Sequence, residues 1–208
     1  MPRLRLAALA LLLLSASCAA QAAPTVIPHP LLPPTLDGRL DDWPALPQIV
    51  ISDAADWHPA APEFADYRGP EDISAEVRLA WDNQNLYLAL ETRDDNLVRV
   101  RSASEIDHGD SVVLALAAEG SKELDQFVVA LLKGSSLVWR SDPTTKAGEV
   151  KLIGRAIWAR ANEAGGWRVT YELALPWSEL PGLKPFVGGG FVLTVSACDD
   201  DGAGLKGC

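Results

Sequence analysis

Residues 75–91, AEVRLAWDNQNLYLALE, alternate apolar and polar side chains on both sides of a short polar break. Val77, Leu79 and Trp81 fall on one face of an extended chain, with Glu76 and Arg78 on the other. A period of two marks a half-buried strand. Asp82, Asn83, Gln84 and Asn85 form the break, and Leu86, Leu88 and Leu90 then restore the inward face. The stretch predicts a β-hairpin with a four-residue connection.

The same signal recurs on both sides of this hairpin. Ser111–Ala118 (SVVLALAA) and residues 127–132 (FVVALL) are apolar at nearly every position, which predicts strands covered on both faces. Gly134, Ser135 and Ser136 turn into a strand over 137–140. Residues 151–161 and 167–175 predict two further strands, joined through 162–166. In the second, Trp167, Val169, Tyr171, Leu173 and Leu175 share a face opposite Arg168, Thr170 and Glu172. Residues 191–197 form the last strand. Only residues 176–180 suggest a helical turn, opened by Pro176. No three-turn amphipathic helix and no fixed-period repeat is present. About eight short strands at turn-separated spacing predict an all-β fold, an antiparallel β-sandwich of jelly-roll type.

The N-terminus has a different character. Arg3 and Arg5 precede an apolar run over 6–14 that is too short to span a bilayer, and Ala20-Gln21-Ala22 places small residues at a cleavage spacing. Residues 1–22 therefore read as a signal peptide, and the chain as secreted or periplasmic. A lipoprotein acylated at Cys18 is the alternative, although Ser15 stands where such signals usually carry Leu. Residues 23–34 are proline-rich and predict an extended linker, followed by one sandwich domain over 35–208. No later apolar run is long enough for a transmembrane span. Removing residues 1–22 leaves 16 basic against 28 acidic side chains, a net charge of −12. That charge argues against nucleic acid and against anionic membrane surfaces as partners.

Export leaves Cys198 and Cys208 as an even pair in an oxidising compartment, which predicts a disulfide, with two free thiols as the rival reading. The carboxylates cluster. Asp94 and Asp95, Asp107 and Asp110, and the run Asp199, Asp200 and Asp201 fall beside turns. Calcium takes six to eight oxygens from such groups, so Asp94, Asp95, Asp110, Asp199 and Asp201 are candidate ligands of a structural calcium ion. The alternative is a solvated acidic loop.

Four stretches, taken together, resemble the family 9 carbohydrate-binding modules. They are LDGRLDDW over 36–43, VRLAWDNQNLYL over 77–88, GDSV over 109–112 and YELALPWS over 171–178. The resemblance implies a jelly-roll sandwich, often attached to xylan-degrading glycoside hydrolases. It also implies a grip on the reducing end of a sugar chain and structural calcium. The sugar binders of the family carry a Trp near the place of Asp107, an acid at Val113, and an Arg and an Asn at Val128 and Ala130. A second Trp beyond the aspartate-rich loop has no counterpart up to Cys208. Val113, Val128 and Ala130 supply no side-chain hydrogen bonds to a sugar hydroxyl.

Seven tryptophans supply the aromatic faces that sugars stack on. Trp43, Trp81 and Trp177 lie inside the shared motifs and read as core, as does Trp167. Trp57, in a loop-like stretch, and Trp139 and Trp158, beside Arg140 and Arg160, are the candidate carbohydrate-binding rings. There is no catalytic signature: His29, His58 and His108 lack metal-ligand spacing, and no nucleophile elbow or phosphate loop is present. The leading expectation is a non-catalytic module that binds saccharide or cell-envelope glycan, alongside a glycoside hydrolase or another envelope protein. A structural or protein-interaction sandwich without a sugar pocket is the alternative, and a small glycoside hydrolase the second alternative.

Overall fold

The computed structural model describes residues 25–60, 67–102, 105–106, 108–133, 135–140, 148–149, 155–161, 165–180, 182–202 and 204–208, with 148–149 and 155–161 described by their backbone. Among these, eleven strands form two antiparallel sheets. Strands β1 (Ile49–Ile51), β2 (Ile73–Trp81) and β3 (Asn85–Asp94) begin the first sheet. Strands β4 (Ser111–Ala118), β5 (Asp125–Leu132), β6 (Ser135–Arg140) and β7 (Gly148–Glu149) build the second. The chain returns to the first sheet with β8 (Arg155–Ala161) and β9 (Trp167–Pro176), then to the second with β10 (Phe191–Asp200) and β11 (Leu205–Gly207). The strand orders are β1-β2-β3-β9-β8 and β11-β10-β4-β5-β6-β7. This repeated passage from sheet to sheet is the jelly-roll manner of closing a sandwich.

The hairpin read from residues 75–91 is present. Trp81 and Leu86 are its last cross-strand pair. The turn is closed by Asp82, whose carboxylate accepts from the backbone N–H groups of Gln84 and Asn85 at 2.7 and 2.8 Å. Val77, Leu79, Leu86, Leu88 and Leu90 meet Val112, Leu114, Leu116, Phe127 and Val129 across the sandwich. Full burial of each such side chain contributes about 1.5–3 kcal/mol.

Several features differ from the sequence expectation. Strand β4 is not covered on both faces. Val112, Leu114 and Leu116 enter the core, while Val113, Ala115 and Ala117 are only half-buried. Valine and alanine need little cover, so hydropathy alone does not distinguish the two faces. The polar face of β9 is buried at Thr170 and Glu172. The 36–43 motif folds over it: the Trp43 indole donates to Glu172 at 2.7 Å, and the Gly38 N–H donates to the other carboxylate oxygen. Gly38 has φ of 83°, a left-handed conformation that glycine adopts without a Cβ clash. Strand β10 continues past residue 197 to Asp200. Of the tryptophans read as core, Trp43 is buried, while Trp81, Trp167 and Trp177 are half-buried.

Residues 1–22, with Cys18, and positions 107, 151–154 and 162–164 lie outside the described residues. The proline-rich stretch lies along the sandwich from residue 25 onward. The Trp81 backbone N–H donates to the Pro28 carbonyl at 3.1 Å, and the Trp81 indole donates to the Ile27 carbonyl at 3.2 Å. Among the described residues, no helix is long and apolar enough to cross a membrane.

Candidate functional site

The register of the second sheet fixes what its outward face presents. Ser196 lies opposite Val113, Val113 opposite Val128, and Val128 opposite Trp139. These residues point away from the core, because Val112, Leu114, Phe127 and Val129 point into it. Four strands at their usual spacing make this row roughly 14 Å long, the span of a short saccharide. Thr194, Ala115 and Gln126 form the neighbouring row. Trp139, Val113 and Ser196 are half-buried and Thr194 is exposed. The row runs from the Ser196 hydroxyl to the Trp139 indole over half-buried Val113 and buried Val128, with the Thr194 hydroxyl and the Gln126 amide in the row alongside. An indole plane holds the apolar face of a sugar ring, and the polar groups match ring hydroxyls.

A second constellation lies at the end of the sandwich where β3 finishes. Asp94, Asp110 and Asp199 are buried there, with carboxylate oxygens within 4.8 Å of one another. Asp110 is held by the backbone: it accepts from the Val98 N–H at 2.6 Å and from the Asp200 N–H at 2.9 Å. Gly109 makes this approach possible, since a Cβ there would lie 2.7 Å from the Val98 carbonyl oxygen. Asp94 accepts from the Asn96 N–H at 2.6 Å through one oxygen. The other oxygen of Asp94 and both oxygens of Asp199 are buried without a hydrogen bond. Burial lifts all three carboxyls above the usual range. For Asp199 it outweighs the opposing charge of Lys206 and pushes the group up to about 6. Asp94 is raised further by the charges of Asp95 and Asp72, and Asp110 by those of Asp94 and Asp199.

Basic side chains pair with the outer carboxylates and reach only Asp199 of the inner trio. Lys206 bonds Asp201 and lies 3.7 Å from Asp199 and 4.0 Å from Asp72. Arg68 pairs with Asp72, with Asp201 at 3.1 Å and with Asp95 at 3.7 Å. Buried, unpaired carboxylate oxygens cost several kcal/mol each unless a proton or a cation joins them, roughly as for any desolvated ion. The donor set is all hard oxygen, which fits calcium and not a thiophilic or imidazole-seeking metal. Asp94, Asp110 and Asp199 are the residues that would hold the ion. Its double positive charge would hold β3, the segment before β4 and β10 together. The disulfide between Cys198 and Cys208 closes the chain around Asp199–Asp201. Asp200 serves the turn instead, accepting from the N–H groups of Gly202 and Gly204 at 2.7 and 3.2 Å.

The pattern of motifs, sandwich and aspartate end agrees with one known group. The sequence profile of the carbohydrate family 9 binding domain-like family matches residues 48–207. The chain belongs to this family. Among solved structures, the family 9-like domain is similar to a family 9 carbohydrate-binding module from Caldicellulosiruptor kristjanssonii in complex with glucose. Identity is 18% over 86% of this chain and 80% of that one, with a TM-score of 0.48. A family 9 module from the same organism in complex with cellotriose matches at 18% identity over 86% of this chain and 78% of that one, with a TM-score of 0.45. No curated protein matches the chain. The family is one of non-catalytic carbohydrate-binding modules.

Within the family 9-like domain, the expected residues occupy different settings. Asp94, Asp95, Asp110, Asp199 and Asp201 all come together at the aspartate end, in overlapping groups of three. Asp72 joins them, and Lys206 and Arg68 sit among them. Trp57 is half-buried, stacks on Tyr67 with ring centroids 5.9 Å apart, and lies against Gly207. Its ring is therefore packed in part against protein. Trp139 lies on the outward face of the second sheet, and Trp158 pairs opposite Thr170 in β8. Gln126, Thr194 and Ser196 were not singled out from sequence, yet they supply the polar groups around the Val113–Val128 floor. Their signal was the alternation in β5 and β10, readable only once the inward face was known.

Proposed function

We propose that the mature, exported domain holds a saccharide or cell-envelope glycan against the outward face of the second sheet. Trp139 provides the stacking plane, and Gln126, Thr194 and Ser196 meet the hydroxyls. The observation that carries this reading is the row Ser196–Val113–Val128–Trp139, an indole beside a flat floor in a family of sugar binders. Positions where the family's sugar binders carry directed polar groups hold Val113, Val128 and Ala130 here. The polar contacts come instead from Gln126 on the same strand as Val128 and from Thr194 and Ser196 on β10, so the sugar preference differs from a reducing-end grip built on those groups. Calcium at Asp94, Asp110 and Asp199 is a structural ion in this account. It lies at the end of β3, and no sugar-binding role is assigned to it. A glycoside hydrolase or another envelope protein is the partner that such a module would serve.

Affinity electrophoresis of the mature domain through soluble glucans, xylans and peptidoglycan fragments tests the reading, in calcium and in chelator. Retardation by at least one polysaccharide is expected. Uniform mobility through all of them would remove it. A protein-interaction sandwich is the second reading, favoured by the half-buried apolar side chains Val113, Ala115 and Ala117 on the outward side of β4. It predicts self-association or a bound partner by light scattering where no glycan binds.

A further inference from the structure

The end of the sandwich opposite the aspartates carries a cleft of about 470 Å³. It lies beside the Asp82–Asn85 turn, between the Trp177–Glu179 turn, the loop leading into β10 and the start of the described chain. Trp81, Trp177, Phe186 and Phe191 line it, with His29 and Lys184. The indole N–H groups are turned into the protein. Trp81 donates to the Ile27 carbonyl and Trp177 to the Asp82 carbonyl, at 3.2 and 2.8 Å. What the two indoles leave to the cleft is carbon. His29 stands edge-on to Trp81, with centroids 4.5 Å apart. Phe186 is 62% exposed, yet its ring is seated: a Cβ at Gly189 would lie 2.8 Å from it, and the Gly189 N–H donates to the Phe186 carbonyl at 3.0 Å.

The charge of the cleft runs against that of the chain. The protein has 28 acidic and 18 basic side chains, yet among the described residues no carboxylate lines this cleft and Lys184 does. The nearby Asp82 carboxylate is engaged by the N–H groups of Gln84 and Asn85 and by the Tyr87 hydroxyl. A carboxylate oxygen of Glu119 lies 3.4 Å from where a Cβ on the cleft-lining Gly190 would be. A sugar is a poor occupant here, because its hydroxyls need directed partners and both indole donors are already used. A planar apolar ring fits, since aromatic pairs gain from offset or edge contacts beyond the area they bury. An acidic group on that ring would meet the Lys184 ammonium. The volume suits a ligand of one or two rings.

We propose that this cleft is a second binding site, for a small aromatic carboxylate, separate from the saccharide face. Titration of the mature domain with cinnamate, followed by tryptophan fluorescence and calorimetry at low salt, tests it. Cinnamyl alcohol serves as the uncharged counterpart, and cellobiose as a competitor. Cinnamate should saturate one site and bind about two- to fivefold more tightly than the alcohol, the range of an exposed ion pair. Lys184→Ala should remove that difference while leaving the alcohol unchanged. Phe186→Ala, at an exposed position, should weaken both ligands about tenfold. Trp139→Ala should change neither, and cellobiose should not compete. Absence of saturable binding, equal affinity for acid and alcohol, indifference to Phe186→Ala, or displacement by cellobiose would each overturn the proposal. Loss of sugar binding in Trp139→Ala with cinnamate binding intact would leave both sites standing as distinct.

Discussion

Stripping divalent cations from the mature domain should lower its melting temperature by about 5–11 °C relative to saturating calcium. The perturbation acts on three buried carboxylates whose oxygens lie within 4.8 Å of one another and of which three oxygens have no hydrogen bond. Sites in extracellular modules bind calcium at roughly 10⁻⁴ to 10⁻³ M, and three buried carboxylates, which would be ionised once the ion is bound, place this one at the tighter end. At about 10 mM calcium the ion is then near a hundredfold above its dissociation constant, which stabilises the folded state by about 2.7 kcal/mol. A domain of this size shifts about 2–4 °C per kcal/mol. Scanning calorimetry in EGTA and in calcium reads the difference. Asp199→Asn should abolish the calcium response, because it removes one of the three carboxylates that would hold the ion. Asp95→Asn should keep most of the response, since Asp95 is exposed and pairs with Arg68. Equal melting in EGTA and calcium would refute the reasoning, as would a shift that survives Asp199→Asn.

Three further outcomes follow from other contacts. Glu172→Leu leaves the Trp43 indole and the Gly38 N–H without their acceptor, and should cost about 2–5 kcal/mol in urea unfolding, one unmet donor at a time; a loss under 1 kcal/mol would show that the 36–43 motif is held by other means. Reducing the Cys198–Cys208 bond opens a loop of ten-residue separation and should cost about 3 kcal/mol, together with a weaker calcium response, in melts with and without dithiothreitol. In EGTA, the Asp199 carboxyl titrates at about 6 in the fold and near 3.9 in the unfolded chain. The folded state therefore holds the proton longer, and this group's stabilisation, complete below pH 4, is lost as pH rises toward 6. The stability gap between wild type and Asp199→Asn should shift in the variant's favour across that range; a gap constant with pH would contradict the burial argument.

The strands were legible because burial on one face leaves a period of two in the sequence. Residues 75–91 show this most plainly, with Val77, Leu79, Leu86, Leu88 and Leu90 all in the core. The pairing of Cys198 with Cys208 was legible from the even pair that remains beyond the expected signal segment. The aspartate end was legible only in part. Asp94, Asp110 and Asp199 advertise themselves by clustering beside turns, whereas Asp72 reaches the group through the fold. Lys206 and Arg68 were invisible as its counter-charges for the same reason. The outward face of β4 was misread because Val113, Ala115 and Ala117 look like core residues in composition. Glu172 looked like a solvent-facing residue of an alternating strand, and only the overlying 36–43 motif explains its burial.

The central claim is that a saccharide lies on the outward face of the second sheet against Trp139. Isothermal titration of wild type and Trp139→Ala with whichever oligosaccharide derives from the retarding polysaccharide tests it most directly. The account predicts one saturable site in wild type, weakened about tenfold or more by loss of the stacking plane, with melting temperature nearly unchanged. Equal affinity in the two proteins, or no heat from any oligosaccharide with calcium present, would contradict it.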